Sequence, residues 1–236
     1  MKLLNIFKYN IIHTIHFNFK MLPFKKAIKL PIIFKRKTRF NNLKGQLIIN
    51  GEISRGMIII GDYHSDLLTP LFNIIDIKGK IIFNGPVQIG CGTLIRVEKN
   101  GILEFGNKNV IGGNSKIFCE NSIKIEDYTR VGWECQLFDT NFHYLKNTKD
   151  NTYIDKLGSI TLGKNNWIGN RTSIMKNTCT PDYTIVASNS ICNKDYVKSN
   201  VKPESVIGGC PAELIALNKI RVFDRSEELK IENIFS

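Results

Sequence analysis

Aliphatic side chains recur at every sixth position over much of the chain. In the second half this step is held at Leu162, Ile168, Ile174, Thr180, Val186 and Cys192. A small residue follows most of them four places later, at Thr172, Thr178, Thr184 and Ser190. The same step occurs earlier at Phe105, Ile111, Ile117 and Ile123, and again, after a slip, at Ile125, Val131 and Leu137.

A six-residue period is one short strand and one turn, so three such units close a triangular coil of about eighteen residues. The aliphatic residue points into the prism, while the small residues fit the tight corners. A helical period of 3.6 residues does not match these segments, and the abundance of Ile, Val, Thr and Asn favours strands and turns. The pattern therefore predicts an all-β chain folded as a parallel β-helix. The alternative is an ordinary β-sandwich with accidental spacing.

Three segments interrupt the repeat and set the predicted boundaries. Residues 1–45 form a basic, apolar N-terminal segment with helical character, and residues 46–201 form the β-helix. A polar stretch over about 142–158 is too long for one side of a coil and predicts an extruded loop. Residues 202–236 predict a C-terminal cap, with a turn over 203–217 that runs into a short helix covering the open end of the stack.

The net charge of +12 belongs almost entirely to the N-terminal segment. Residues 1–51 contain eleven Lys or Arg and no acid, whereas residues 52–236 contain 22 basic and 21 acidic residues. Because Ile and Phe alternate with these lysines, the segment fits either the headgroup region of a membrane or a packed helix with solvated lysines. Nucleic-acid binding is disfavoured, since the segment has no recognisable module and the body is neutral.

Localisation follows from what the chain lacks. No apolar run approaches the roughly 18 residues of a membrane span, and the N-terminus does not resemble a secretory signal. Six cysteines are scattered without metal-ligand spacing, which favours reduced thiols and no metal site. We therefore expect a cytoplasmic protein, with peripheral contact at the inner face of the membrane as the alternative that its basic segment suggests.

Three motifs resemble those of the hexapeptide-repeat acyltransferases. They are Asp139–His143, the run from Ile160 to Gly169, and the ending from Val206 to Ile215. The resemblance covers about residues 81–216 and is strongest to enzymes that O-acetylate sugars of capsule, lipopolysaccharide or other surface glycans. It implies a left-handed β-helix, a homotrimer with active sites in the clefts between protomers, and acetyl-coenzyme A as the co-substrate.

His143 is the candidate general base that this resemblance implies. It opens the extruded loop, and an imidazole with an ordinary pKa near 6.5 can accept the proton of an attacking hydroxyl at neutral pH. Asp139 either holds the second imidazole nitrogen or caps a turn with its own side chain, and a backbone carbonyl is the rival partner for the histidine. Asn141 is expected to hold the loop or touch the acceptor. His13, His16 and His64 receive no chemical role.

Two tryptophans are candidates for the acceptor cleft. Trp167 stands among small and polar residues in the coil after the loop, where the family has a tryptophan lining the active site. A large aromatic at a coil surface can pack on a sugar or on the pantetheine arm, although subunit packing is the alternative. Trp133, beside Gly132 and ahead of the loop, has the weaker case.

Coenzyme A is expected in the groove between two β-helices, with its nucleotide toward the last coils. The candidate lining positions are Gly169, Asn170, Lys176, Ser188, Asn189, Lys194, Gly208, Gly209, Pro211 and Ala212. Lys176 and Lys194 are candidates for phosphate contacts, although surface lysines are usually only solvated. Glu213 departs from the family, in which a basic residue commonly follows the Pro-Ala pair.

The sequence thus predicts an acetyl-coenzyme A-dependent O-acetyltransferase that acts on a sugar hydroxyl. An amino sugar or another small acceptor remains open, because an amine also needs a base. A β-helix that serves as a non-catalytic scaffold or binding module is the alternative from another class.

Overall fold

The computed structural model describes residues 9–35, 37–62 and 71–235, and these form three parallel sheets around one long core. The predicted left-handed parallel β-helix is confirmed. Through the middle of the stack each coil contributes one strand to each sheet, and these strands pair in parallel with their counterparts in the neighbouring coils. Each rung therefore satisfies the backbone groups of its neighbour, as the repeat requires.

The first sheet has nine strands, in the spatial order β1 (Ile32–Phe34), β4 (Ile58–Asp62), β7 (Val87–Gly90), β10 (Asn109–Ile111), β13 (Arg130–Val131), β18 (Trp167–Ile168), β20 (Ile185–Val186), β22 (Val206–Gly209) and β23 (Ala212–Ala216). The second has β2 (Thr38–Leu43), β5 (Asn73–Ile77), β8 (Leu94–Val97), β11 (Lys116–Cys119), β14 (Gln136–Phe138), β19 (Ser173–Met175) and β21 (Ile191–Cys192). The third has β3 (Gln46–Ile49), β6 (Lys80–Phe83), β9 (Ile102–Phe105), β12 (Ser122–Ile125) and β17 (Ser159–Leu162).

The aliphatic repeat forms the core. Ile111, Ile117, Ile123, Ile168 and Ile174 are completely buried. The six-residue period slips by two residues between Ile123 and Ile125 because strands of the third sheet place two side chains in the core. In β12 these are Ile123 and Ile125, where a hexapeptide has only one.

The N-terminal segment closes one end of the prism. Helix α1 (Ile11–Met21) and the short α2 (Phe24–Ala27) precede the first strands. Asn18 is fully buried and locks α1 to β1: its side-chain nitrogen donates to the Ile32 carbonyl at 2.7 Å, and its oxygen accepts from the Ile32 nitrogen at 3.2 Å. Strands β1 and β2 lie within the segment predicted as 1–45, so the sheets begin before that boundary. Residues 1–8 and 36 of the segment, and His64, lie outside the described residues.

The C-terminal end differs from the prediction of a turn leading directly into a helix. After the last coil, β22 adds a rung to the first sheet, and β23 pairs with it antiparallel. This hairpin covers the edge that a further coil would otherwise occupy. The helix, α3 (Arg225–Phe235), begins only after an intervening stretch. Within the described residues, no helix is long and apolar enough to cross a membrane.

Candidate active site

The extruded loop leaves the prism where the second sheet meets the third. It lies outside the three main sheets and contains its own antiparallel pair, β15 (Leu145–Lys146) and β16 (Tyr153–Ile154). At its root, Thr140 bridges Leu157, and the Asn141 nitrogen donates to the Lys156 carbonyl at 2.9 Å. Lys156 also forms an ion pair with Glu120 of the preceding coil. The two ends of the loop are therefore tied together at the prism surface.

Asp139 fixes this root to the coil below. Its carboxylate is fully buried and accepts hydrogen bonds from the backbone nitrogens of Glu120 and Asn121, both at 2.8 Å. Burial raises the pKa of Asp139, and these backbone donors oppose that shift. No hydrogen bond joins Asp139 to His143 among the described residues. Of the two interpretations left open by the sequence, the contacts of Asp139 match the turn-capping one.

Phe142 sets the direction in which the chain leaves the root. Its nitrogen donates to the Thr140 hydroxyl at 3.0 Å, and its φ of 63° lies in the left-handed region, where the chain turns sharply. Its ring lies 5.0 Å from that of Phe118 and 5.7 Å from that of Phe138, on the outer face of the second sheet. This aromatic cluster holds the turn immediately before His143.

His143 is exposed at the end of this turn, and its imidazole makes no hydrogen bond to any residue that the structure describes. Both ring nitrogens are thus available to a substrate or to a group from another protomer. A general base needs such access, because it must come within hydrogen-bond reach of the proton it removes.

Four of the predicted coenzyme A positions meet at the corner between the first and second sheets. Gly169 packs so closely on the next coil that a Cβ there would lie 2.5 Å from the Ser188 nitrogen. The Asn189 nitrogen donates to the Asn170 carbonyl at 3.0 Å, and the Ser188 hydroxyl contacts the Asn170 side chain at 2.5 Å. Trp133 lies at the same corner one coil earlier, where its carbonyl accepts from the Arg171 nitrogen at 2.9 Å.

Gly209 joins this corner by donating its backbone N–H to the Ser190 hydroxyl at 3.0 Å. Gly208 packs against Ala187 beside it, and Ala212 pairs with Gly209 across the β22–β23 hairpin. Ala212 is buried, with its carbonyl accepting from the Tyr196 hydroxyl at 3.1 Å, and Pro211 beside it is exposed.

The two candidate lysines for phosphate already have partners. Lys176 donates to the Asp155 carbonyl at 2.5 Å and so supports the base of the loop. Lys194 forms an ion pair with Glu213 at 2.7 Å. Glu213, the residue that departs from the family ending, thus neutralises Lys194, which was a predicted ligand for phosphate.

Trp167 lies on the outer face of the first sheet, with 40% of its surface exposed. The C-terminal chain passes over it, placing the Arg221 guanidinium 5.0 Å from the centre of its ring. The Phe223 ring centre lies 5.4 Å from the Arg221 guanidinium and 6.0 Å from that of Arg130. Arg130 is the direct register neighbour of Trp167 in β13.

Sequence analysis missed Arg130, Arg221 and Phe223. Arg221 and Phe223 follow the repeats, in a stretch without periodicity, so no pattern predicts where they fold back. Arg130 stands one place before the core residue Val131, and the register of the coils alone could have placed it beside Trp167.

Four of the six cysteines are packed in the interior of the prism. All six thiols are free, and Cys91, Cys119, Cys135 and Cys192 are buried. Burial raises the pKa of Cys135 and of Cys192 to about 11, which keeps both thiols protonated and poorly nucleophilic at neutral pH. Within the described residues, no cluster of three or more His, Cys, Asp or Glu has the arrangement of a metal site.

Comparisons with known proteins give distant likenesses only. No family model matches the chain. No curated protein matches it either. Among solved structures, the polySia-specific acetyltransferase NeuO is 17% identical, with 86% of this chain and 83% of that chain covered and a TM-score of 0.47.

Two further structures are similar at the same level. AntD, an N-acyltransferase from Bacillus cereus solved with dTDP and 3-hydroxybutyryl-CoA, is 15% identical, with 92% of this chain and 96% of that chain covered and a TM-score of 0.43. The polysialic acid O-acetyltransferase OatWY is 15% identical, with coverages of 84% and 96% and a TM-score of 0.40.

Proposed function

We propose that this protein transfers an acetyl group from acetyl-coenzyme A to a sugar hydroxyl, with His143 as the general base. The observation that carries the proposal is the position of His143. Its side chain is exposed and without a hydrogen-bond partner in the described structure, at the root of a loop pinned by Asp139 and Phe142. A hexapeptide β-helix with a histidine at that position matches the motif arrangement that the sequence shares with acyltransferases.

The reaction needs only proton transfer and acyl transfer. The imidazole of His143 takes the proton of the sugar hydroxyl as its oxygen attacks the thioester carbonyl. The new C–O bond forms, the C–S bond breaks, and the imidazolium returns the proton to the departing thiolate. A backbone N–H from a neighbouring coil would stabilise the negative oxygen of the tetrahedral intermediate. Neither an acyl-enzyme nor a metal is part of this mechanism.

Asp139 acts in this proposal as a positioning residue. Its carboxylate holds the turn from which the loop departs, so it places His143 without touching the reacting atoms. Asn141 holds the loop through its backbone, and its exposed side chain is free to meet the acceptor.

The donor is proposed to lie along the corner formed by Gly169, Asn170, Ser188 and Asn189, with Gly209 beyond them. Such a corner offers backbone groups and small side chains, which suit the long, narrow pantetheine arm. Trp167 and Trp133 would wall the cleft on the acceptor side. A homotrimer would place this corner of one protomer against the His143 loop of the next and so complete the site.

A thiol-release assay with acetyl-coenzyme A tests the activity itself. The proposal predicts thiol release that depends on a sugar acceptor, drawn from a panel of neutral, acidic and amino sugars. Faster release with an amino sugar than with any hydroxyl acceptor would indicate N-acetylation. No release with any acceptor, together with no coenzyme A binding in calorimetry, would instead favour the scaffold alternative.

We also propose that the N-terminal cap rests on an anionic membrane surface. One side of α1 is buried, through Thr14, Phe17, Asn18 and Met21. The opposite side exposes a set of large apolar residues that continues through α2, namely Ile11, Ile12, Ile15, Phe19, Phe24 and Ile28, which are 45–79% exposed. Phe19 and Phe24 are in contact, with ring centres 5.9 Å apart.

Charge complementarity supports an anionic bilayer as the partner of this surface. Its apolar ridge is flanked by two cavities, one lined by Arg55 and the other by Lys37 and Arg39. Lys20, Lys25 and Lys29 are exposed beside it, and the first 51 residues contain no acid. Apolar side chains framed by lysines fit a bilayer interface with anionic headgroups. Such an anchor would bring the enzyme to a glycan built on a lipid carrier.

Vesicle sedimentation tests this contact. The protein should sediment with phosphatidylcholine vesicles that contain phosphatidylglycerol, and much less with phosphatidylcholine alone. The triple variant K20Q/K25Q/K29Q should lose binding, whereas Lys149→Gln at the loop tip should keep it. Absence of binding would refute the membrane contact. Self-association abolished by Phe19→Ser would show that a second copy covers this face.

A further inference from the structure

Three cations lie along the outer face of the first sheet without a carboxylate partner. The partly buried Arg130 and Arg221 and the exposed Lys108 form no ion pair with any residue that the structure describes, although most other partly buried arginines and lysines do. The acid whose charge raises the pKa of Arg221 is Glu228, which is itself paired with Arg225 at 3.1 Å. The face is therefore locally positive on a body that is close to neutral.

The two arginines are held near each other by aromatic rings. Phe223 has the Arg221 guanidinium 5.4 Å and the Arg130 guanidinium 6.0 Å from its ring centre, and Trp167 lies below Arg221. Burial, together with the charge of Arg130, lowers the pKa of Arg221. Bringing two like charges together in a partly buried place is unfavourable, and a bound anion would relieve that repulsion.

A cavity of about 330 Å³ continues this face toward the earlier coils. Arg130 and Lys108 line it together with Gln88 and with Asn109 and Val110 of β10. Its lining combines cations, amides and apolar side chains such as Ile59. That mixture suits a sugar, which presents hydroxyls at its edge and C–H groups on its face.

We propose that Lys108, Arg130 and Arg221 form a subsite, beside Trp167, for an acidic glycan. The inference rests on the proposed function, because it takes Trp167 as part of the acceptor cleft. It adds that the acceptor carries carboxylate or phosphate groups, and that its chain runs from Trp167 toward β10.

The proposed acceptor and donor regions lie toward opposite ends of the β-helix, on either side of Trp167. The proposed coenzyme A path runs from Gly169 toward Asn189 and Gly209, in the later coils. Arg130 and Lys108 lie in the coils before Trp167, on the opposite side. An anion at these cations is therefore assigned to the acceptor and not to the phosphates of coenzyme A.

Binding can be measured without catalysis by using His143→Ala protein. Tryptophan fluorescence would follow titration with an oligogalacturonate, and with a malto-oligosaccharide of the same length as the neutral control. We expect the acidic oligomer to bind more tightly and to lose affinity as salt is added, since salt screens exposed charges. Arg130→Gln and Arg221→Gln should each weaken it by roughly tenfold.

Matched controls keep the test specific. Lys116→Gln removes an exposed cation from β11 in the second sheet, away from the proposed subsite, and it should leave the affinity unchanged. Arg130→Lys should retain more binding than Arg130→Gln. Thermal melts would show that each variant is folded.

Two results would overturn the subsite. If the acidic and neutral oligomers bind with equal affinity, the subsite is not selective for an acidic glycan. If both glutamine variants bind the acidic oligomer as the wild type does, these arginines do not bind it. A loss of coenzyme A binding in Arg130→Gln and Arg221→Gln would assign the cations to the donor instead. Acetyl transfer to a neutral sugar would leave the proposed function intact while this inference fails.

Discussion

The Asp139 carboxylate accepts a hydrogen bond of 2.8 Å from the backbone nitrogen of Glu120, a residue of the preceding coil. Its second oxygen accepts from Asn121 at the same distance. One buried side chain thus joins two coils at the place where the loop with His143 leaves the prism. A carboxylate that stands in a motif associated with catalysis serves here to hold the backbone.

Replacing Asp139 should therefore affect stability as well as activity. Asp139→Ala leaves two backbone donors without their acceptor, which costs about 2 kcal/mol of unfolding free energy. Asp139→Asn keeps one acceptor oxygen and should lose less. Urea unfolding measures both variants. If Asp139 instead only oriented His143, both would melt like the wild type and lose activity equally.

The phenylalanine cluster should control how accurately His143 is placed. Phe142→Ala removes ring contacts with Phe118 and Phe138, so the loop root should loosen while the buried core stays intact. We expect the turnover number to fall by roughly tenfold to a hundredfold, because small misplacements of a catalytic group are costly. Limited proteolysis should cut the loop faster than in the wild type, and Phe142→Leu should recover part of both properties. Unchanged turnover would mean that Phe142 does not position His143.

The N-terminal cap should weaken at mildly acidic pH. His13 accepts hydrogen bonds at Nδ1 from Asn10 at 3.0 Å and from the Thr38 nitrogen at 3.3 Å. Its pKa is lowered by burial and then by the charge of His16. The folded state therefore binds a proton less readily than the unfolded chain, and stability is lost as pH falls below about 6.5 toward the lowered pKa.

Thermal melts at neutral and at acidic pH measure this effect. His13→Gln carries no titrating group and should lose less stability on acidification than the wild type. His143→Gln is the matched control, since His143 makes no hydrogen bond in the described structure. Its melting temperature should fall on acidification by as much as that of the wild type. If His13→Gln loses as much stability at acidic pH as the wild type does, His13 is not the cause of that loss.

The hexapeptide period predicted the β-helix, because stacked coils bury residues such as Ile111 and Ile168 on that spacing. The extruded loop was equally visible, since it interrupts the period with polar residues. The structure corrected the ends, where β1, β2 and the β22–β23 hairpin extend the sheets without a clear repeat. The strands in those segments form because they pair with a neighbouring strand, and a pattern of nearby residues does not reveal such pairing.

The site was predictable only in part. His143 and the corner residues follow from motifs, and the structure places each at the prism surface or at one corner. The partners of Lys194 and the fold-back of Arg221 over Trp167 depend on contacts between residues distant in sequence. No spacing rule could supply them.

The role of His143 is tested most directly by comparing His143→Ala with the wild type, with acetyl-coenzyme A and the best sugar acceptor, by following thiol release. Because the imidazole makes no internal hydrogen bond, the variant should melt like the wild type. Its acceptor-dependent rate should nevertheless fall by roughly a hundredfold or more. Equal rates from two equally folded proteins would show that His143 is not the base and would contradict the proposed mechanism.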